Sequence, residues 1–251
     1  RFSPMGDMQH AIGLCLGAST VSVVCVSQAD RQKPNQEPHP RIVAHHVYPH
    51  DGSPHAVLHN IITDLEQNGI GKIAVTGRKF RHMLNLSSIS EPEAAEYAFR
   101  YVKPADKICP ALISAGGETF MVYVLNTKGS ITNVITGNKC ASGTGEFFLQ
   151  QLRRMDVDIV QASAWAAETP PYPVSGRCSV FCKSDCTHAT NKGIPKSEVT
   201  AGLGKMMADK ILELLKKIDR RDLMLVGGAS ENQMMVHYLN QAIEGLIIPQ
   251  Q

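Results

Sequence analysis

The chain has 251 residues, which is enough for one large domain or two small ones. Hydrophobic residues make up 43% of it and charged residues 19%, a composition that excludes a wholly disordered chain. The 25 Lys and Arg residues nearly balance 23 Asp and Glu residues, so the net charge of +2 gives no electrostatic basis for binding nucleic acid or an anionic membrane surface.

Neither a membrane span nor a leader sequence is predicted. No apolar run approaches the roughly 20 residues that a spanning helix needs, and residues 1–10 contain no apolar core of signal-peptide length. Seven cysteines are an odd number, so a fully paired internal disulfide framework is excluded. These features favour a reducing, cytoplasmic setting, where clustered cysteines more often bind metals or carry out redox chemistry.

The first part of the chain predicts strands around a small-residue turn, followed by helices and one further strand. Apolar residues alternate or cluster in the strands and recur at helical spacing in the helices. The predicted elements are strands at residues 11–17, 21–26 and 42–48, a helix at 56–67, a strand at 73–76 and a helix at 93–101.

The second part repeats the pattern of strand, glycine turn, strand, turn and strand about 100 residues later. The predicted elements are strands at residues 111–115, 120–125 and 131–136, helices at 141–154 and 196–218, a strand at 223–226, a helix at 232–242 and the start of a strand at 247. The repetition predicts an α/β protein of two lobes, residues 1–105 and 106–251.

Three small-residue turns each follow an apolar strand, at residues 17–20, 116–117 and 227–229. Glycine lets backbone amides approach a ligand closely, and such amides attract phosphate oxygens. A single glycine pair is typical of an ordinary turn. Three small-residue turns at strand ends, two of them within the repeated pattern, predict a nucleotide-binding site formed by two lobes. The sequence has neither a GxxxxGK[ST] phosphate loop nor a GxGxxG that opens a helix directly after a strand.

Four strings carry a family resemblance: NKCASGTGEFFLQQL (138–152), SGRCSVFCKSD (175–185), KGIPKSEVTAGL (192–203) and LVGGASEN (225–232). In this order they resemble the ATPase activators of 2-hydroxyacyl-CoA dehydratases and the ATPase subunits of benzoyl-CoA reductases. The resemblance implies duplicated ribonuclease H-like lobes of the acetate kinase, sugar kinase, chaperone ATPase and actin superfamily. It also implies ATP or ADP with Mg²⁺, a homodimer, and one [4Fe-4S] cluster shared between two subunits.

In that family, ATP binding and hydrolysis let the cluster pass a low-potential electron to an acyl-CoA dehydratase or reductase. The resemblance implies nucleotide contacts from residues of the glycine turns and their neighbours: Gly17, Ala18, Ser19, Thr20, Gly116, Gly117, Gly143, Thr144, Gly145, Gly227, Gly228, Ala229 and Asn232.

The same resemblance implies that Cys140 and Cys178 are the cluster ligands, two from each subunit. Cys140 precedes the helix predicted from residue 141, and Cys178 starts another possible helix, so helix N-termini would stabilise the anionic cluster. Cys182 and Cys186 follow at four-residue steps on one helical face. They are either additional metal ligands or packing residues of the core.

The chain departs from the family pattern at both phosphate turns. Where the family has an aspartate in D-x-G-S-T, this sequence has Cys15, and where it has D-I-G-G-Q-D, this sequence has Ser114 and lacks the second aspartate. Mg²⁺ prefers oxygen ligands, often carboxylates. Glu118, which replaces the glutamine, is a candidate metal ligand or water-positioning base, with Glu91 and Glu93 as further carboxylates.

These departures leave more than one function open. The first is an ATP-driven iron–sulfur activator, and the second is a degenerate nucleotide-binding or partner-docking module that does not hydrolyse ATP. A sugar or amino-sugar kinase of the same superfamily is a third, but its catalytic aspartate has no well-placed candidate. The family's last glycine- and alanine-rich helix is missing after Gln251, so we expect either an excised piece or the front of a longer fusion.

Overall fold

The computed structural model describes residues 10–27, 40–67, 72–77, 84–137, 143–165 and 169–249. The chain divides into two compact units, Arg1–Tyr101 and Val102–Gln251. Each unit has its own β-sheet. Within the described ranges, none of the helices combines the length and the apolar character that crossing a membrane requires.

The first unit is a five-stranded sheet with a helix packed on it. Its elements are β1 (His10–Leu16), β2 (Thr20–Ser27), β3 (Arg41–Pro49), α1 (Pro54–Gln67), β4 (Lys72–Thr76), β5 (Ser87–Ser88) and α2 (Glu91–Val102), which ends where the two units divide. The strand order is β3-β2-β1-β4-β5, with β1 antiparallel to β2 and parallel to β4. Alternating apolar residues of β1 and β2, such as Leu14 and Val23, pack against Leu58 and Leu65 of α1 in one buried cluster.

The second unit is a four-stranded sheet packed against a set of helices. Its elements are β6 (Ala111–Ala115), β7 (Phe120–Leu125), β8 (Ile131–Thr136), α3 (Gly145–Arg154), α4 (Ile159–Ala164), α5 (Ser179–Asn191), α6 (Lys196–Leu214), β9 (Met224–Val226), a short 3-10 helix (Gly228–Glu231) and α7 (Gln233–Ala242). The strand order is β8-β7-β6-β9. Its core joins Ile113 and Val122 of the sheet to Phe148, Leu203 and Leu239 of the helices.

The two units repeat one topology, which confirms the duplication predicted from the sequence. In each sheet the third, second, first and fourth strands lie side by side in that order, and the fourth strand runs parallel to the first. The turn after the first strand is closed by the same hydrogen bond in both. Gly17 N donates to Thr20 O at 2.8 Å, and Gly116 N donates to Thr119 O at 3.0 Å.

A glycine with positive φ follows the fourth strand in each unit. Gly77 has φ +102° and Gly227 has φ +96°, a region that side-chain-bearing residues avoid. A Cβ at Gly77 would lie 2.5 Å from Leu16 O, and a Cβ at Gly227 would lie 2.4 Å from Ala115 O. The chain leaving the fourth strand therefore packs directly on the backbone at the end of the first strand. The sequence pattern indicates Gly227 as part of a small-residue turn but does not indicate Gly77.

Several element ends differ from the predictions. The helix predicted from residue 141 begins at Gly145, because Gly143 has φ +83° and Thr144 is an extended N-cap. The helix predicted to reach residue 218 ends at Leu214, although later apolar residues still pack on the core. The strand predicted from 247 is a single bridge between Ile247 and Met224. Helix α4 was not predicted.

We expect Gly227→Ala to destabilise the protein by about 2 kcal/mol or more, because it adds backbone strain and a clash with the Ala115 carbonyl. Gly193→Ala is the matched control, since Gly193 has φ +79° but nothing lies within 4 Å of its Cβ position. It should therefore cost about 1 kcal/mol, the strain alone. Urea unfolding of both variants measures the difference, and equal losses would contradict a packing role for Gly227.

Candidate functional site

Three small-residue segments of the second unit converge at one end of its sheet. Gly145 N, at the start of α3, donates to Gly116 O at 3.3 Å, and Glu146 N donates to Gly117 O at 3.0 Å. A Cβ at Gly145 would lie 3.3 Å from Gly117 Cα and 3.6 Å from Ala229 Cβ. The turn after β6, the start of α3 and the turn after β9 are therefore neighbours, as a shared binding surface requires.

In the turn after β9 the backbone at Gly228 is uncovered, and Asn232 caps the helix that follows, α7. No heavy atom lies within 4 Å of the position that a Cβ would take at Gly228. Asn232 is 7% exposed and caps α7, because its Oδ1 accepts from Met235 N at 3.2 Å. Its Nδ2 lies 3.5 Å from the sulfur of Met207 on α6. Asn232 thus holds the turn in place whether or not it also contacts a ligand.

Glu118 lies in the turn after β6, two residues beyond Gly116, and its side chain is exposed. This position matches Ser19 in the equivalent turn of the first unit, where Ser19 O accepts from His50 N at 2.9 Å. Glu118 is therefore a carboxylate on the glycine turn itself. Its role as a metal ligand or base stays a prediction.

Cys15 and Ser114 occupy equivalent places, each one residue before the last residue of the first strand of its sheet. Burial, with a smaller contribution from the carboxylate of Glu91, raises the pKa of the Cys15 thiol from 9.0 to about 11. The thiol is therefore neutral near pH 7. A neutral, soft sulfur is a poor substitute for a carboxylate toward Mg²⁺.

Cys178 lies at the N-cap of α5, half-buried, and its side chain makes no capping hydrogen bond. Its sulfur is thus not engaged in holding the helix, and it stands beside the positive end of the helix dipole, which suits a thiolate or an anionic cluster. The loop before it is fixed to the same helix, because Asp185 Oδ2 accepts from Ser175 N at 2.8 Å. Cys140 lies outside the described residues.

Two side chains of α6 lie against glycines that are close in sequence to Cys140 and Cys178. A Cβ at Gly143 would lie 2.5 Å from Cδ of Lys210 and 3.0 Å from the sulfur of Met206. A Cβ at Gly176 would lie 3.2 Å from Cγ of Met206 and 3.8 Å from Cε of Lys210. Gly143, three residues after Cys140 in sequence, and Gly176, two residues before Cys178, therefore lie against the same two side chains.

Cys182 and Cys186 point into the core of the second unit, with exposures of 0% and 3%. A hydrogen bond to Cys186, and then burial, raises the pKa of the Cys182 thiol well above its usual range. Both residues pack as small apolar groups, and their possible role as metal ligands stays a prediction. Within the described residues, no three His, Cys, Asp or Glu side chains gather into a group that could hold a metal ion.

Helix α6 contacts both the turn after β9 and the cysteine-bearing segments. Met207 lies against the Asn232 side chain, and a Cβ at Gly204 would lie 2.5 Å from Cβ of Met234 on α7. The Met206 and Lys210 side chains lie against the glycines of the cysteine segments. One helix therefore contacts both candidate binding regions of the second unit.

The raised pKa of Cys15 predicts slow alkylation and a stability that depends on pH. At pH 8 the thiolate fraction, and hence labelling by iodoacetamide, should be about 100-fold below that of a thiol of pKa 9. The folded state holds this proton up to about pH 11 whereas the unfolded state loses it near pH 9, so stability should fall across that window. Mass spectrometry of labelled Cys15 checks the rate, and rapid labelling at pH 8 would contradict it. Glu91→Gln should speed the reaction.

Comparison with known proteins places the chain in a family. The 2-hydroxyisocaproyl-CoA dehydratase activator of Clostridioides difficile is 25% identical over 189 residues, which are 74% of this chain and 70% of that protein. The (R)-2-hydroxyglutaryl-CoA dehydratase activating ATPase of Acidaminococcus fermentans is 28% identical over 123 residues, 48% of this chain and 47% of that protein.

Among solved structures, the activator of the 2-hydroxyisocaproyl-CoA dehydratase from Clostridium difficile with bound ADPNP has a TM-score of 0.78. It is 22% identical in sequence, and the match covers 96% of this chain and 88% of that chain. This likeness confirms the predicted duplicated fold. The profile described as the BadF/BadG/BcrA/BcrD ATPase family matches residues 65–249, well over half of the sequence. The chain therefore belongs to the BadF/BadG/BcrA/BcrD ATPase family.

Proposed function

We propose that this protein is an ATP-dependent iron–sulfur activator that gives a low-potential electron to an acyl-CoA dehydratase or reductase. The observation that carries the proposal is the meeting of Gly143 and Gly176 at Lys210 and Met206. These two glycines are close in sequence to Cys140 and Cys178, and they belong to the same unit as the converging glycine turns. The names of the relatives, which are activators of acyl-CoA dehydratases, support the choice of partner.

The nucleotide part of the proposal rests on the end of the sheet in the second unit. Gly116, Gly117 and Gly145 meet there without side chains, so a phosphate could approach the backbone closely beside the positive N-terminal end of α3. The amides of Gly116, Gly145 and Glu146 already donate to backbone carbonyls, so the attraction would come from the helix dipole. The family description as ATPases and the relative with bound ADPNP support ATP or ADP, with Mg²⁺, as the ligand. The turn at residues 17–20 would serve as the equivalent turn of the first unit.

The cluster part of the proposal assigns Cys140 and Cys178 as ligands, two from each of two chains. A [4Fe-4S] cluster held by these four thiolates would supply one-electron transfer at low potential. The chain's own contribution is to hold Cys178 at the start of α5, where the helix dipole favours negative charge and Asp185 fixes the preceding loop.

The homodimer is part of the same proposal. Val180 and Phe181, in the first turn of α5 beside Cys178, are 69% and 65% exposed. Two adjacent large apolar side chains at the proposed ligand suit coverage by a second copy of the chain, which would also exclude water from the cluster.

A second candidate, a nucleotide-binding module without hydrolysis, is favoured by one observation. Cys15 and Ser114 stand at the ends of the two first strands, where the resemblance implies aspartates. The Cys15 thiol is neutral near pH 7, and a serine hydroxyl carries no charge. Glu118, on the second turn, is then the nearest carboxylate in sequence to either phosphate turn.

Anaerobically purified protein is expected to contain about four irons and four acid-labile sulfides per dimer, as a four-thiolate cluster requires. Cys140→Ala and Cys178→Ala should each remove the iron, because each takes away two of four ligands. Cys182→Ala is the matched control on the same helix, since it removes a buried thiol from the core. Iron analysis and the visible spectrum measure the result. An iron-free wild type, or iron retained in Cys178→Ala, would contradict the cluster.

Restoring the missing carboxylates tests whether ATP is turned over. We expect Cys15→Asp with Ser114→Asp to raise the rate of Mg²⁺-dependent ATP hydrolysis by about tenfold or more, because carboxylates position Mg²⁺ and water. Glu118→Gln should abolish the remaining hydrolysis of the wild type and leave ATP binding intact, whereas Glu213→Gln on the exposed face of α6 should change neither. Phosphate release under anaerobic conditions gives the rates. Hydrolysis that is unaffected by Glu118→Gln would remove this residue from catalysis.

A further inference from the structure

We propose that His50 is a positioning residue for a nucleotide phosphate at the turn of residues 17–20 in the first unit. This inference rests on the proposed function, which makes that turn one of the phosphate-binding turns. His50 acts in this assignment through the backbone of the turn, and it is not assigned a contact with the nucleotide itself.

The loop after β3 is joined to the tip of this turn. His50 directly follows the last residue of β3, and its backbone N donates to Ser19 O at 2.9 Å. The next residue, Thr20, pairs with Pro49 in the register of β2 and β3. Thr20 O also closes the turn, because it accepts from Gly17 N at 2.8 Å. The Ser19 carbonyl is therefore held on the side of the turn where β3 ends.

The side chain of His50 fixes the loop that carries this donor. Its Nδ1 accepts from Gly52 N at 3.2 Å, and its backbone O accepts from Ser53 N at 2.6 Å. Asp51 and Gly52 have φ of +44° and +83°, and two central residues of positive φ are the mark of a type I′ turn. A left-handed aspartate is an uncommon conformation that costs energy. The bond from Gly52 N to the ring therefore helps to hold the loop in this shape.

Burial makes this bond selective for the kind of side chain at the position. His50 is 9% exposed, so a ring nitrogen or a Gly52 amide left without its partner would not be fully solvated. Because Nδ1 is the acceptor, the neutral ring carries its hydrogen on Nε2. An asparagine at the same position can accept from the amide two residues on, as in an Asx-turn, whereas a phenylalanine cannot.

The turn that His50 holds has amides for a ligand. In the part of the chain that the structure describes, no carbonyl or side chain accepts from the backbone N–H of Ala18 or Ser19, and both residues are half-buried. Successive unpaired amides in a turn attract phosphate oxygens. A carbonyl oxygen on the same turn would repel a phosphate, and the bond from His50 N holds the oxygen of Ser19 at the loop.

The second unit fixes its equivalent turn in a comparable way with different donors. There the amides of Gly145 and Glu146, at the start of α3, donate to the carbonyls of Gly116 and Gly117. In the first unit the donor comes from His50, in the loop between β3 and α1. In both units an amide from outside the turn thus fixes a carbonyl of the turn, and His50 is the residue that does so in the first.

The test measures the Kd of ADP with Mg²⁺ by calorimetry for the wild type and three variants. His50→Phe keeps a ring without the acceptor, and His50→Asn keeps an acceptor within reach of Gly52 N. His59→Phe is the matched control, since it removes an exposed histidine whose Nδ1 lies 3.5 Å from Thr63 Oγ1 on the same helix, α1. We expect His50→Phe to raise the Kd about tenfold, and the other two variants to change it by less than about threefold.

Amide hydrogen exchange separates positioning from a general loss of stability. In His50→Phe, exchange should quicken at residues 18–20 and 50–53, while residues 10–16 of β1 stay protected. Quickened exchange throughout the first unit would assign His50 to stability and overturn the inference.

The binding data separate the two levels of failure. A wild type that does not bind ADP would overturn the proposed nucleotide binding and this inference with it. Wild-type affinity in His50→Phe, or an equal loss in His50→Asn and His50→Phe, would overturn the role of His50 alone.

Discussion

Direct backbone contact between the end of the first strand and the turn after the fourth strand is the constraint on which both units depend. Gly77 packs on the Leu16 carbonyl and Gly227 on the Ala115 carbonyl, each with positive φ. Any Cβ at these places would separate the two parallel strands at the end where the small-residue turns project. Because the contact occurs twice, the two sheets end in turns of the same geometry, closed by equivalent glycine-to-threonine hydrogen bonds.

The second unit combines this geometry with the cysteine chemistry. Its sheet end receives the N-terminus of α3 at Gly145, while the loop before Cys178 is anchored by Asp185 and by the side chains of α6. The N-terminus of α3 lies at one region and the N-terminus of α5, with Cys178, at the other, so a helix dipole favours negative charge at both. The replacements at Cys15 and Ser114 affect a different property, which is the ability to hold a cation beside the phosphates.

Much of the fold could be predicted because its signals are local. The repeated strands and the turns after them follow from apolar runs ended by glycine, and β6, β7 and β8 agree with the predicted bounds. Gly77 was missed because it follows a short strand as a single glycine, and its requirement comes from Leu16, far away in sequence. The start predicted for α3 was four residues too early, because the positive φ of Gly143 and the extended Thr144 leave no trace in the apolar pattern. The contacts of Gly143 and Gly176 with Lys210 were beyond prediction because they join segments that are far apart in sequence.

The contacts of α6 have a mechanical consequence. At Gly204, α6 packs against Met234 of α7 with no room for a side chain at the glycine. Lys210 lies six residues further along the same helix, about 9 Å by helical rise. Because α6 packs on α7 at Gly204 and lies against Gly176 through Met206, the turn before α7 and the loop before Cys178 are supported by the same helix.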